Sequence, residues 1–198
     1  LESPHQISLN HSNPILKRNL SKSYLMKFYK TSSPKTRKVL ELMCALHHAE
    51  YADILSILSD VEDIEQILNT FLKMGIAESN YHKFALREKV VWTYRNNNIH
   101  RRVDILKIGE TYENLAETKN FHRRIHFFLE AEGHYWISGK HDKSLKVWLK
   151  IVNYFYLKNY YEYIWTNLKD HFELKTNIFN NLSALDRIRL VNLFRSSK

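Results

Sequence analysis

Apolar residues recur at helical spacing along most of the chain, and in one short interval that spacing changes. Ile15, Leu16, Leu20, Tyr24, Leu25 and Phe28 mark one face of a helix between residues 15 and 29. "TSSPKTRK" then supplies a helix start, with Ser33 as N-cap and Pro34 at the first helical position, where its missing N–H costs nothing. Val39, Leu40, Leu42, Met43 and Leu46 carry this second helix to His47–His48. "EYADILSILS" predicts a short third helix, and Asp60 is read as the cap of the next, which runs to Met74 and is closed by Gly75. Beyond Gly75 the period becomes that of strands: "IAES" and "HKFAL" predict a hairpin around Asn80.

From Lys89 the pattern is again helical almost to the end. Short polar breaks near Asn96–Asn98, Lys119–Asn120, Gly139–Lys140 and Lys158–Asn159 recur every 19 to 23 residues, as stacked antiparallel helix pairs require. Within "IHFFLEAEGHYWISGKHDKSLKVWLKI", Ala131, Tyr135, Gly139, Ser144, Trp148 and Ile151 occupy the small, aromatic, turn and apolar positions of a tetratricopeptide (TPR) repeat. Gly109 and Tyr112 carry the Gly-x-x-Tyr spacing of a partial unit before it. The expected fold class is therefore mostly α: a winged-helix module followed by a TPR-like antiparallel helical repeat arm, an α-solenoid. Residues 1–14 read as a linker or loop, 15–97 as a helical lead-in and winged-helix domain, and 98–198 as the TPR-like helical repeat domain.

Composition narrows the class without naming a reaction. Four Gly and three Pro leave little material for a turn-rich β fold. Cys44 is the only cysteine, so no internal disulfide can form and a cytoplasmic, reducing setting is expected. The opening "LESPHQISLNHSNP" lacks the charged-then-apolar order of a signal peptide, and no apolar run approaches the roughly 20 residues that cross a bilayer. No membrane association is expected.

Charge placement matters more than the net +9. Residues 1–40 hold Lys17, Arg18, Lys22, Lys27, Lys30, Lys35, Arg37 and Lys38 against Glu2 alone, so most of the excess lies in the leading arm. Residues 50–65 instead contain Glu50, Asp53, Asp60, Glu62, Asp63 and Glu65 with no Lys or Arg. In a DNA-reading winged helix the helix after Asp60 would enter the major groove. Carboxylates there oppose the phosphate term that supplies most non-specific affinity. Asp60, Glu62 and Asp63 are better explained, on the sequence, by the positive end of the helix dipole.

The stretches "TSSPKTRKVLELMCALHHAEYADILSIL", "LNTFLKMGIAESNYHKFALREKVVWTYR" and "HRRVDILKIGETYENL" together resemble the region after the ATPase core of STAND NTPases, including LuxR-type (MalT-like) transcriptional regulators. There a winged helix ends in a strand of the kind Phe84-x-Leu86-Arg87, with Glu88 opening a helix, and a segment such as His100–Arg102 leads into a helical sensor arm. The resemblance covers about residues 30–155. It implies a non-catalytic signalling and protein-interaction region in which the winged helix packs against protein. One departure bears on activity: Gly75, Gly109, Gly133 and Gly139 form no phosphate-cradling loop, so an ATPase core would lie elsewhere. "YYEYIWTNLKDHFELKTNIFNNLSALDRIRLVNLF" is helical in pattern and lies outside the resemblance.

No catalytic residue, cofactor or metal is expected. His122, His126 and Glu130 share a helical face, yet the spacing is not His-Glu-x-x-His and a fourth ligand is missing, so a solvated or interface stripe is the preferred reading. His47–His48 suits the negative end of a helix, Cys44 reads as core, and no Gly-x-Ser-x-Gly occurs. Between Trp148 and Trp165 the aromatics are dense. They serve either as core of two adjoining helices or, at Tyr156, Tyr160 and Tyr163, as a groove for a peptide or sister protomer, and stacking of nucleic-acid bases beside Lys146, Lys150 and Lys158 is the third reading. Two functions remain. One is the signalling region binding a protein partner or itself, with weak non-specific nucleic-acid affinity. The other is a DNA-binding winged-helix regulator that contacts phosphates through Lys17, Arg18, Lys22, Lys35, Arg37 and Lys38.

Overall fold

In the computed structural model, residues 20–46, 48–118 and 121–157 are described, apart from the side chains at 121, 122 and 156. They are mostly helical, with one small three-stranded sheet, and the chain divides into two compact units, at Val103 and Asp104.

The first unit contains α1 (Lys22–Thr31), α2 (Pro34–Leu46), β1 (Glu50–Tyr51), α3 (Ala52–Ser59), α4 (Ile64–Lys73), β2 (Ala77–Asn80), β3 (Lys83–Leu86), α5 (Glu88–Asn96) and a 3₁₀ turn at Ile99–Arg102. Capping follows the sequence closely at the start of α2. Ser33 Oγ accepts the Thr36 N–H at 3.2 Å, with Pro34 at the first helical position. At the end of α4, Gly75 adopts φ 71, the Gly75 N–H reaches Leu72 O at 3.0 Å and the Ile76 N–H reaches Phe71 O at 2.9 Å. This pair of bonds satisfies two terminal carbonyls, and the buried Ile76 and Phe71 supply the apolar contact that accompanies such a cap.

Asp60 is a correction to the sequence reading. It ends α3 in the left-handed region at φ 52 and does not open α4, whose N-cap is Asp63 without a side-chain capping bond. Asp tolerates this conformation better than most side chains, and the short polar side chain is then free to face outward. Asp60, Glu62 and Asp63, which the sequence reading attributed to the helix dipole, all precede α4, with Asp63 at its N-cap, and the acidic residue of its first turn is Glu65.

The core of the unit gathers Leu25 and Tyr29, Val39, Leu40 and Met43, Ile54 and Leu55, Leu68 and Phe71, and Val90 and Tyr94, all buried. Tyr94 Oη donates to Leu25 O at 3.1 Å, so the largest buried side chain of α5 has its polar atom satisfied against α1. Burial pushes the Tyr94 hydroxyl pKa up. Tyr29 Oη donates to Glu41, and Arg102 Nη1 donates to the same hydroxyl at 3.0 Å, tying the 3₁₀ turn to α1 and α2.

The sheet has the order β1-β3-β2, both pairs antiparallel, with Glu50 opposite Phe84 and Ala77 opposite Leu86. The hairpin turns at Tyr81 and His82, both in the left-handed region at φ 49 and 64. Two successive positive φ values match the twist of a two-residue hairpin, a geometry that ordinarily selects Asn-Gly. His48, read as a helix-end cation, follows the end of α2 and brings Nε2 to 3.6 Å from Oε2 of the buried Glu50.

The second unit contains α6 (Ile105–Thr118), α7 (Phe121–Ile137) and α8 (His141–Leu157). α7 packs against both α6 and α8. Gly109 lets α6 approach α7: a Cβ built there would lie 3.1 Å from Tyr135 Cδ1 and 3.3 Å from His134 Cβ. The Tyr112 ring stacks on His134, with centroids 5.7 Å apart and planes 4° from parallel. Gly139, at φ 75, ends α7 with the same pair of bonds as Gly75, from the Gly139 N–H to Trp136 O at 3.0 Å and from the Lys140 N–H to Tyr135 O at 2.9 Å. Ala131, Tyr135, Ser144, Trp148 and Ile151 are all buried, and Ser144 Oγ meets Glu132 Oε1 at 2.5 Å.

Candidate functional site

Two surfaces concentrate polar chemistry, one in each unit. In the first unit, β1, the start of α3, one face of α4 and the hairpin enclose a cleft of about 340 Å³ lined by Tyr51, Ala52, Asp53, Glu65, Asn69, His82 and Phe84. Helical spacing puts Glu65 and Asn69 one turn apart on α4. The pairing of β1 with β3 brings Tyr51 beside the hairpin, and Lys83 Nζ stands 4.9 Å from the centre of the Tyr51 ring. Glu62, Glu65, Gln66, Asn69, Thr70 and Lys73 make up the exposed side of this region, with a single cation among them.

The cationic residues singled out on the sequence follow a different surface. Lys22 is exposed at the start of α1, and Arg37 is half-buried on α2. Lys35 Nζ lies 3.4 Å from Asp63 and Lys38 Nζ 3.7 Å from Asp60, so these two lysines meet the carboxylates that sequence reasoning had assigned to a helix dipole. Both pairs are more than half exposed on each side, and pairs of that kind contribute about 0–1 kcal/mol. Lys17 and Arg18 lie outside the described residues. So do Tyr160, Tyr163 and the side chain of Tyr156, the proposed partner-binding tyrosines.

In the second unit, charges bridge helices. Lys150 of α8 donates to Glu113 at 2.8 Å and to Glu117 at 2.9 Å, both on α6, and Lys143 donates to Glu110 at 2.8 Å. Tyr135 Oη of α7 donates to the other oxygen of Glu113 at 2.7 Å. Burial raises the Glu113 carboxyl pKa, but the hydrogen bonds from Lys150 and Tyr135 outweigh it and hold the group below its ordinary value. For Lys150, burial lowers the pKa and the bonds to Glu113 and Glu117 overcome it, leaving the ammonium more basic than usual. The arrangement ties three helices together.

His126 Nδ1 lies 3.9 Å from Glu130, while the side chain of His122 is outside the described residues. Among the described residues no three His, Cys, Asp or Glu side chains are grouped to hold a metal ion, and no helix is long and apolar enough to cross a membrane. Cys44 is buried in α2, and burial pushes its thiol pKa up.

Sequence reasoning found the acidic character of this region but missed the cleft. β1 is two residues long, too short to show a period, and the cleft exists only because β1 pairs with β3. Likewise, the Lys150–Glu113–Glu117 bridge joins residues more than 30 positions apart, beyond any local pattern. No family model matches the chain, and neither a characterised protein nor a solved structure does.

Proposed function

We propose that this chain is a non-catalytic signalling and protein-interaction region of a STAND-type ATPase or transcriptional regulator, with its first unit a winged helix that packs against protein. The observation that carries the reading is electrostatic. On the α4 side, where a DNA-reading winged helix would meet phosphates, Glu62 and Glu65 are exposed, and Lys35 and Lys38 of α2 are paired with Asp63 and Asp60. Phosphate neutralisation needs the opposite sign at that surface. The order helix, strand, two helices, hairpin and helix supports the winged-helix assignment.

In this reading the second unit is a TPR-like arm that binds a partner or effector, with Tyr156, Tyr160 and Tyr163 as its binding aromatics. Gly109, Ala131 and Ser144 supply the small positions that such helix pairs need for close approach.

A salt titration with duplex DNA tests the proposal. Binding without sequence preference and no tighter than about 10⁻⁶ M at physiological salt is the expected outcome. Sequence-selective nanomolar binding would replace it with the DNA-regulator reading, in which the basic residues 17–38 contact phosphates.

A further inference from the structure

The cleft beside α4 has a composition that selects a ligand class. At about 340 Å³ it is large enough for a side chain to enter, near the lower end of the roughly 300–1,000 Å³ of small-ligand sites. Its two charged carboxyl side chains come from different helices, Asp53 from the first turn of α3 and Glu65 from the first turn of α4, and Asn69 adds an amide oxygen. Two aromatic rings, Tyr51 and Phe84, line the same space. Lys83 over Tyr51 shows that the aromatic surface of this sheet already accommodates a cation.

We propose that this cleft receives an arginine side chain presented by a protein partner, with Glu65 taking the charge and the aromatic walls taking the plane. A planar guanidinium pairs with a carboxylate through two parallel N–H donors and stacks on an aromatic face, while an ammonium offers only a compact charge. Glu65 is suited to the part because it forms no ion pair among the described residues, in contrast to Asp60 and Asp63 nearby. Phosphate and carboxylate ligands are disfavoured by the same two carboxylates. The inference rests on the reading of the α4 side as protein-facing, and it adds which chemical group the partner must carry.

The test is a titration of the full ¹⁵N-labelled chain with N-acetyl-arginine amide, followed by amide chemical shifts. Saturable shifts confined to β1, the start of α3, the first two turns of α4 and the hairpin are expected. Glu65→Gln should weaken this binding about fivefold to tenfold through loss of the charged acceptor, while Glu62→Gln, an exposed carboxylate outside the cleft, changes it less than about twofold. N-acetyl-lysine amide should bind several-fold more weakly. Equal weakening by Glu62→Gln and Glu65→Gln, an unchanged affinity in Glu65→Gln, or shifts spread over all acidic surfaces would overturn the proposal. The two readings fail separately: a null arginine titration removes the cleft's ligand, whereas only the DNA titration decides whether the α4 side faces protein.

Discussion

The two units put lysines and carboxylates to different ends. In the first, Lys35–Asp63 and Lys38–Asp60 are single exposed pairs at the margin of α2, and the neighbouring cleft keeps Glu65 unpaired among the described residues. In the second, Lys150 bridges Glu113 and Glu117 while Tyr135 binds Glu113 from a third helix, so Lys150 and Glu113 each have two partners. A network holds its members in place, whereas an isolated exposed pair gains little over hydration. Charge in the second unit therefore reinforces packing, as Glu41 and Arg102 do around Tyr29 in the first, whereas Glu65 at the cleft is left without an ion pair among the described residues.

The largest expected effect breaks the packing beneath the network. Gly109→Leu pushes a branched side chain against Tyr135, whose hydroxyl is fixed on Glu113, and should cost about 3 kcal/mol, read as a loss of several degrees in thermal melting. Tolerance of that change would mean that α6 and α7 do not approach closely at this point.

Next comes the hairpin, a test of the first unit alone. Tyr81 and His82 hold left-handed conformations that cost non-glycine residues about 1–2 kcal/mol each. The double change Tyr81→Asn and His82→Gly should raise stability by about 1 kcal/mol, checked by denaturant unfolding. A loss would show that these side chains contribute more than their backbone strain removes.

The network itself has a pH signature. The folded pKa of Glu113 lies below its ordinary 4.5, so its stabilisation is present above that pH and is lost as pH falls through the folded value. The folded pKa of Lys150 is raised, so its contribution is present below the ordinary 10.5 and is lost as pH rises through the folded value. Glu113→Gln should cost about 1 kcal/mol at neutral pH and flatten the acid limb of the stability curve. The smallest effect belongs to the exposed pairs: Lys35→Ala and Lys38→Ala should each change stability by less than about 0.5 kcal/mol.

What was legible in the sequence divides along the same line. Ser33–Pro34, Gly75 and Gly139 announced their roles because caps are local, set by one residue's φ or one hydroxyl. The burial of Ala131, Tyr135, Trp148 and Ile151 followed from helical period. Asp60 was misplaced because Asp serves both as an N-cap and as a left-handed stop, and sequence alone does not separate the two. The turn at Tyr81–His82 carries neither Gly nor Asn, so it gave no punctuation, although Asn80 beside it marked the neighbourhood. The cleft was invisible because it depends on a two-residue strand pairing across more than 30 residues.

The central claim, that the α4 side faces protein and not DNA, is tested most directly by mapping where duplex DNA touches the labelled chain at low salt. The account predicts amide shifts near the exposed lysines of α1 and α2, among them Lys22, Lys27, Lys30 and Lys35, with Glu65 to Lys73 unmoved and every shift lost as salt is raised. Salt-resistant shifts centred on α4 and the hairpin would contradict it.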